Sequence, residues 1–291
     1  MENDHRELII TAASESYRPQ LLSLLGSLRC NWPDHPPVMV YDMGLRDGTD
    51  ELLRDAGFAV RKIPPFVPHW RKHYTWKPWC MQDASAERVL WLDAGCCVLR
   101  PLPEIFDIVG HQGYFALPNY RPLEIEASPE ACEGCGVPPD FRVGKVSLTA
   151  AVFGFRRGSD AHRVVQQAAK VAETERFIKA TKPWHRWEQA ILSLLMYREI
   201  SPLILCDGSL YFYENLRPEF VMHSIWAARR QMHYKDKQFY ASRLVGPTAP
   251  HLPRASHKEA LWYKTARQPK AAFDALVAHF GKRKKEIDGV K

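Results

Sequence analysis

Apolar and polar residues alternate along the first part of the chain in a pattern typical of α/β proteins. Short apolar runs predict strands at Glu7 to Ala12, Val38 to Asp42 and Phe58 to Ile63. Between them, leucines at helical spacing predict a helix from Tyr17 to Leu28, and a second helix is predicted from Thr49 to Ala56. Because strands and helices take turns, the pattern favours βαβ units around a parallel sheet.

One run stands out, Val89-Leu90-Trp91-Leu92-Asp93-Ala94-Gly95, in which four apolar residues lead into an acid, a small residue and a glycine. It predicts a buried strand that ends in a carboxylate. Ligands bind at the C-terminal edge of such sheets, so Asp93 is a candidate ligand-binding residue. A turn or a cap for the segment that carries Pro101 and Leu102 is the alternative, and this run alone leaves both open.

The later pattern is less regular. A helix is predicted to begin close to Trp76, because Pro78 is best tolerated in a first helical turn. Residues 119–145 are predicted to form a long loop or insertion, since prolines and glycines interrupt them. Further strands are predicted at 113–117, 147–155, 203–205 and 210–213, and further helices at 103–108, 159–178, 190–197 and 271–280.

Composition indicates a globular protein, with 46% hydrophobic and 25% charged residues among 291. The polar N-terminus and the absence of any apolar run of about 20 residues predict a cytoplasmic protein, whose seven cysteines would stay reduced. The net charge of +7 favours an anionic partner. Nucleic acid, a membrane surface and a phosphate-bearing small molecule all fit that charge.

Six short motifs occur in a definite order along the chain. They are Thr11-Ala12-Ala13-Ser14, Val40-Tyr41-Asp42-Met43-Gly44-Leu45, Trp76-Lys77-Pro78, Leu90-Trp91-Leu92-Asp93-Ala94-Gly95, Ala151-Val152-Phe153-Gly154-Phe155 and Trp187-Glu188-Gln189-Ala190-Ile191-Leu192-Ser193. From about Glu7 to Tyr234 this order resembles nucleotide-sugar glycosyltransferases of the GT-A fold, especially family 8 and its uncharacterised relatives.

The resemblance implies an α/β GT-A (nucleotide-diphospho-sugar transferase) fold, with a Rossmann-like, mostly parallel sheet flanked by helices. It would occupy 1–240, with 241–291 as a helical and basic extension of the same domain. The implied activity is transfer of a sugar from a UDP-sugar or a similar donor to a glycan or other hydroxyl acceptor, with retention at the anomeric carbon. A catalytically inactive relative that only binds a nucleotide or glycan is the alternative.

In this family the run that contains Asp93 usually ends in Asp-x-Asp, which holds a divalent ion and the donor ribose. Here Gly95 stands in place of the second acid. The resemblance implies that Mn²⁺ or Mg²⁺ would be held by Asp93 and by a later histidine, for which His223 is preferred over His233. An ordinary surface or core histidine is the alternative for His223. Phosphates and waters could complete the coordination. Alternatively, Gly95 lets the diphosphate approach the backbone, and basic residues replace the ion.

The resemblance also assigns the remaining site residues. Glu188 and Gln189 match an Asp-Gln pair beneath the donor sugar, so that Glu188 would bind sugar hydroxyls and Gln189 would face the reaction centre. A glutamate that favours the helix dipole is the alternative for Glu188. The nucleotide base and ribose would contact Thr11, Ala13, Ser14 and, unless it only forms a turn, Asp42. Lys77 would approach the donor phosphates, and the further phosphate candidates are Arg71, Lys72, Arg229 and Arg230. A solvated basic surface is the alternative for each, and it is the preferred one for Arg71 and Lys72.

Other features carry less weight. Cys132 and Cys135 have the spacing of zinc ligands, but a structural site needs a second pair, and the adjacent Cys96 and Cys97 would point to opposite faces of a strand. The tail Lys282 to Lys285 suits either weak membrane-surface association or a solvated end. A nucleic-acid-binding function rests on charge and aromatic content alone. Tryptophans that could form an acceptor platform or belong to the core are Trp70, Trp76, Trp79, Trp184 and Trp187.

Overall fold

The computed structural model describes residues 6–46, 48–179, 185, 187–207, 222–223 and 234–245. All of them belong to one compact unit, Met1–His251, and the second unit, Leu252–Lys291, lies outside the described residues. Among the helices described, none is both long and apolar enough to cross a bilayer.

A mixed sheet forms the centre of the unit. The strands are β1 (Glu7–Ala13), β2 (Val38–Asp42), β3 (Ala59–Lys62), β4 (Arg88–Leu92), β5 (Cys96–Cys97), β6 (Tyr114–Pro122), β7 (Val146–Arg156) and β8 (Met222–His223). Six of them form one sheet in the order β3-β2-β1-β4-β7-β6, while β5 and β8 pair separately. Only β7 runs against the others in the large sheet, because it pairs antiparallel with both β4 and β6. The predicted mostly parallel sheet is therefore confirmed.

Helices cover both faces of this sheet. They are α1 (Arg18–Asn31), α2 (Thr49–Asp55), α3 (Trp76–Asp83), α4 (Pro103–Gln112), α5 (Leu123–Glu126), α6 (Pro129–Gly134), α7 (Asp160–Ala172), α8 (Glu175–Ile178), α9 (Trp187–Glu199) and α10 (Tyr234–Val245). The apolar sides of α1 and α4 pack on one face, and those of α3, α7 and α9 pack on the other. Burial of β1 and β4 from both sides explains their continuous apolar runs.

Local sequence explains several helix ends. The helix α3 begins at Trp76 with Pro78 inside its first turn, as predicted. The hydroxyl of Ser159 caps α7 by accepting a hydrogen bond from the backbone N–H of His162 at 3.3 Å. Gly113 ends α4 with a φ of 88°, a left-handed conformation that favours glycine.

Three sequence predictions differ from the structure. Residues 119–145 were predicted as a loop, yet they contain the end of β6, the helices α5 and α6, and a 3₁₀ turn at Pro139–Arg142. Core burial of Leu123, Ala131 and Cys132 supplies the order that their local propensity does not predict. The predicted helix over 159–178 is interrupted at Thr174, which is extended, so that α7 and α8 are separate.

The segment 203–205, predicted as a strand, lies outside the sheets, although the backbone N–H of Cys206 donates to Ala116 at 3.0 Å. The predicted strand at 210–213 and the predicted helix at 271–280 lie outside the described residues.

The helix α10 packs closely against α1, an arrangement that the sequence did not predict. A Cβ added to Gly26 of α1 would lie 1.9 Å from the backbone oxygen of Tyr240. Beside this contact, the side-chain amide of Asn31 donates to the Tyr240 hydroxyl at 2.9 Å, and Ala241 is fully buried. The absence of a side chain at Gly26 thus permits the two backbones to approach.

Candidate active site

The clearest polar cluster lies where β4 ends. The ammonium of Lys77 lies 2.7 Å from Asp93 Oδ1 and 3.3 Å from Glu188 Oε1. The side chains of Lys77 and Glu188 are only 1% and 7% exposed, whereas that of Asp93 is 23% exposed. We call these three residues the Lys77 cluster. Three residues that the sequence nominated separately are therefore in direct contact.

The fold holds each member of the cluster in place. Lys77 lies in the first turn of α3 and Glu188 in the first turn of α9, so two helix starts meet the end of one strand. The backbone N–H of Asp93 donates to Ala151 of β7 at 2.9 Å. The indole N–H of Trp91 donates to Asp93 Oδ1 at 2.7 Å, so this oxygen accepts hydrogen bonds from both Trp91 and Lys77. Trp91 thus orients a carboxylate, a role that sequence reasoning missed.

Burial and charge set the protonation of the cluster. Burial by itself would lower the pKa of Lys77, but the carboxylates of Asp93 and Glu188 outweigh it, and the pKa of Lys77 is raised. Burial raises the pKa of Glu188 to about 7; Lys77 acts to lower that pKa and Asp93 acts to raise it. Glu188 therefore titrates near neutral pH, while Lys77 stays protonated.

Aromatic rings surround the cluster on one side. The Lys77 ammonium lies 5.2 Å from the centre of the Trp91 ring, a cation–π contact. From Trp91 a chain of ring contacts continues through Trp76 at 5.9 Å and Tyr74 at 5.8 Å to Trp187 at 5.2 Å. Two of the predicted platform tryptophans, Trp76 and Trp187, therefore belong to this chain.

The other three platform tryptophans lie elsewhere or are not described. The ring of Trp79 stacks on Phe66 at 5.4 Å, and Trp70 lies beneath the guanidinium of Arg71 at 4.6 Å. Trp184 lies outside the described residues. The acceptor platform stays a prediction.

The backbone is strained just before Lys77 and just before Glu188. His73 and Tyr74, just before Lys77, have φ values of 55° and 57°, and Trp187, just before Glu188, has a φ of 35°. Left-handed conformations of this kind cost about 1–3 kcal/mol in residues other than glycine, and they concentrate at functional sites. The strain thus points to the same location as the buried charges.

Gln189 continues the site beside the Lys77 cluster. Its side-chain oxygen Oε1 accepts from the backbone N–H of Ala150 at 3.2 Å, next to Ala151, which binds the Asp93 backbone. Its nitrogen Nε2 donates to Glu126 Oε2 at 2.8 Å. Glu126 is fully buried, and no sequence pattern singles it out, because the neighbouring acid Glu124 fits the same pattern but is exposed.

Two solved glycosyltransferases share this architecture. The crystal structure of the galactosyltransferase LgtC in complex with donor and acceptor sugar analogues matches with a TM-score of 0.52 at 16% identity, over 84% of this chain and 97% of LgtC. The apo structure of the bifunctional glycosyltransferase WbbM matches with a TM-score of 0.53 at 13% identity, over 91% of this chain and 52% of WbbM. The chain has the GT-A fold. No protein-family model matches the sequence, and no curated protein matches it significantly.

Within this GT-A fold, the metal prediction depends on the turn after β4. Gly95 lies buried in that turn and offers no side-chain ligand. The pairing of β5 with β8 places the backbone of His223 opposite Cys96, close in sequence to Asp93. The side chain of His223 lies outside the described part, as does His233. In the residues that are described, no group of three or more His, Cys, Asp and Glu could hold a metal ion.

The predicted nucleotide residues of the GT-A chain lie at the ends of β1 and β2. Thr11 and Ala13 are 0% and 2% exposed, so neither presents a side chain to solvent in this structure. Asp42 Oδ1 accepts from the backbone N–H groups of Gly44 and Leu45, each at 2.6 Å, so Asp42 forms the turn that was its alternative role. The nucleotide-binding roles of these residues stay predictions.

The surface of this edge carries Ser14 and Arg71. The Ser14 hydroxyl hydrogen-bonds with that of Ser16 at 2.9 Å. A Cβ on Gly44 would lie 3.3 Å from a guanidinium nitrogen of Arg71, so this cation lies beside the β2 turn. Lys72 is exposed, and Arg229 and Arg230 lie outside the described residues.

Cys132 and Cys135 are buried thiols of the GT-A core, near the end of α6. Burial raises the pKa of Cys132 and raises that of Cys135 to about 12. The Cys135 thiol lies 4.0 Å from the backbone oxygen of Ile191. Both side chains belong to the apolar core, and Cys135 contacts α9.

Proposed function

We propose that this chain is a glycosyltransferase that transfers a sugar from a nucleotide diphosphate donor, a UDP-sugar, to a hydroxyl acceptor. The single observation that carries the proposal is the Lys77 cluster, with Gln189 beside it, at the C-terminal end of β4 in a GT-A fold. Ligands bind at this edge of open α/β sheets. The solved relative LgtC was crystallised with donor and acceptor sugar analogues, which supports a sugar substrate.

In the proposed complex the donor sugar lies on the Lys77 cluster. Its hydroxyl groups would donate to the carboxylates of Asp93 and Glu188 and accept from the ammonium of Lys77. These groups are held by the fold in a largely buried site, so they need little reorganisation when the sugar binds. The neighbouring rings of Tyr74 and Trp187 would cover apolar C–H faces of a sugar.

The diphosphate leaving group needs positive charge. Besides Lys77, Arg71 is a described cation at this edge of the sheet, since its guanidinium lies beside the turn after β2. We further propose that Asp93 and His223 would hold a divalent ion together with phosphate oxygens and water. When bound, such an ion supplies Lewis-acid neutralisation of the departing diphosphate.

We propose retention at the anomeric carbon. Asp93 and Glu188 both bind the Lys77 ammonium, and Gln189 carries a neutral amide, which supports a reaction that uses no general base. In a front-face displacement none is needed. The acceptor oxygen forms the new bond to the anomeric carbon, the bond to the diphosphate oxygen breaks, and that oxygen takes the acceptor proton.

Calorimetry with UDP, GDP and CMP, each with and without Mn²⁺, tests the donor class. We expect selective binding of UDP. Incubation with UDP-sugars then tests turnover, with Glu188→Gln losing sugar release and Glu173→Gln, an exposed glutamate paired with Lys170, as the matched control. Absence of both nucleotide binding and sugar release in the wild type would refute the proposal.

A second candidate function follows from Gly95. The loss of the second acid of Asp-x-Asp favours a GT-A protein that binds a nucleotide or glycan without turnover. Tight UDP binding combined with no sugar release during prolonged incubation would select this alternative.

A further inference from the structure

A buried carboxylate lies directly behind the residue that we place at the reaction centre. Glu126, at the end of α5, has no exposed surface. Its Oε2 accepts from the Ser147 hydroxyl at 2.6 Å and from Gln189 Nε2 at 2.8 Å, and the Asn119 amide nitrogen lies 3.2 Å from both carboxylate oxygens. The guanidinium of Arg121 lies 3.7 Å from Oε1. The carboxylate therefore gathers donors from β6, β7 and α9.

We infer that Glu126 is a positioning residue that fixes the side-chain amide of Gln189 in one orientation for sugar transfer. An ionised carboxylate only accepts hydrogen bonds, so the Gln189 atom beside it must be the NH₂ group. The backbone N–H of Ala150 only donates, so the atom beside it must be the amide oxygen. The two contacts lie on opposite sides of one amide and exclude the flipped orientation.

The fixed orientation has a chemical consequence. Gln189 Oε1 is engaged with Ala150, and one N–H of Nε2 is engaged with Glu126. The second N–H of Nε2 is left to act toward a substrate as a hydrogen-bond donor. Gln189 would thus hold an oxygen of the donor or acceptor in place, and its amide oxygen would be held back from attack on the anomeric carbon.

Burying a carboxylate is costly when nothing compensates it, and an apolar residue of similar size is often as stable. Of the contacts to Glu126 given above, that of Arg121 comes from a charged group, and the Arg121 side chain is 35% exposed. Packing alone therefore does not explain a charge at this position. Holding the Gln189 amide in one orientation is a function that explains the charge. This inference rests on the proposed sugar transfer.

The test is the isosteric variant Glu126→Gln. Its amide keeps one acceptor oxygen where the carboxylate has two, so its NH₂ group must face either Gln189 Nε2 or the donors of Asn119 and Arg121, and no charged acceptor then holds the Gln189 amide. Since a misplacement of about 1 Å can cost about a hundredfold in rate, we expect kcat for UDP-sugar turnover to fall at least tenfold. The dissociation constant for UDP should stay within about twofold, because Glu126 has no exposed surface and acts only through Gln189.

Ser147→Ala is the matched control. It removes a donor from the same Oε2 but leaves both partners of Gln189 in place, so we expect kcat within about threefold of the wild type. The ¹⁵N side-chain signal of Gln189 provides a readout that does not require activity. It should shift strongly in Glu126→Gln and little in Ser147→Ala.

Glu126→Asp keeps the charge but shortens the side chain, which preserves a folded protein for the measurement if the glutamine variant does not fold. We expect an intermediate loss of kcat. Wild-type kcat in both Glu126 variants, or an equal loss in Ser147→Ala, would overturn the positioning role alone. No turnover in the wild type would instead refute the proposed function, and this inference with it.

Discussion

Replacing Lys77 with methionine removes the one cation of the Lys77 cluster while keeping a side chain of similar length. The carboxylates of Asp93 and Glu188 then face each other without it. Removing one partner of a buried ion pair costs about 3–5 kcal/mol, because the remaining charge is left uncompensated. We therefore expect the free energy of unfolding to fall by about that amount at pH 8.5.

The pKa of Glu188 makes this effect depend on pH. One pH unit corresponds to about 1.4 kcal/mol, so a pKa of about 7 against an ordinary value of 4.5 makes folding with Glu188 ionised about 3 kcal/mol less favourable than with it protonated. The stabilisation from this raised pKa is complete below pH 4.5 and is lost as the pH rises through about 7. Lys77 acts to lower the pKa of Glu188, so that pKa rises further when the lysine is absent. In Lys77→Met the stabilisation from the raised pKa is therefore lost over a range that extends to higher pH.

Urea unfolding at pH 5.5 and pH 8.5, followed by tryptophan fluorescence, measures both effects. We expect Lys77→Met to cost more at pH 8.5, and Glu188→Gln added to it to recover part of that loss. The control is Lys72→Met, an exposed lysine, for which we expect a change of at most about 0.5 kcal/mol. An equal cost for the two lysine variants, or a Lys77→Met cost that does not depend on pH, would refute the reasoning.

Three further predictions follow from other contacts. Gly26→Ala should lower the free energy of unfolding by about 1–3 kcal/mol and speed proteolysis within α10. The reason is that the new Cβ would lie 1.9 Å from Tyr240 O. Unchanged stability and proteolysis would contradict the close packing of α1 and α10. Trp91→Phe removes the indole donor to Asp93 and should lower the free energy of unfolding by about 1.5–3 kcal/mol. Thermal unfolding should show a larger loss for this variant than for the control Trp32→Phe. Gly95→Asp restores Asp-x-Asp and should tighten Mn²⁺ binding measured by calorimetry; affinity equal to that of the wild type would argue against a metal site beside Asp93.

The sequence predicted the sheet well because β1, β2 and β4 carry apolar runs that do not depend on distant partners. It also nominated Lys77, Asp93 and Glu188, through the order of motifs. It could not predict that one ammonium binds both acids, because Lys77 and Glu188 are 111 residues apart and meet only through packing. Their roles in sugar transfer are still predictions.

The burial of Glu126 and the packing of α10 could not be predicted from the sequence. Glu124 and Glu126 both flank Ile125, yet only the second is buried, and its donors come from three other elements. Packing of α10 depends on the missing side chain of Gly26 in a distant helix. In both cases the deciding contact lies outside the local sequence.

The most direct test of the account is a crystal structure with an intact, non-transferable UDP-sugar analogue. We predict that hydroxyl groups of the sugar lie within hydrogen-bonding distance of Asp93 and Glu188, with the Gln189 NH₂ group directed at the site and still bonded to Glu126. A sugar bound away from the Lys77 cluster, or nucleotide bound elsewhere on the chain, would contradict the assignment of this site.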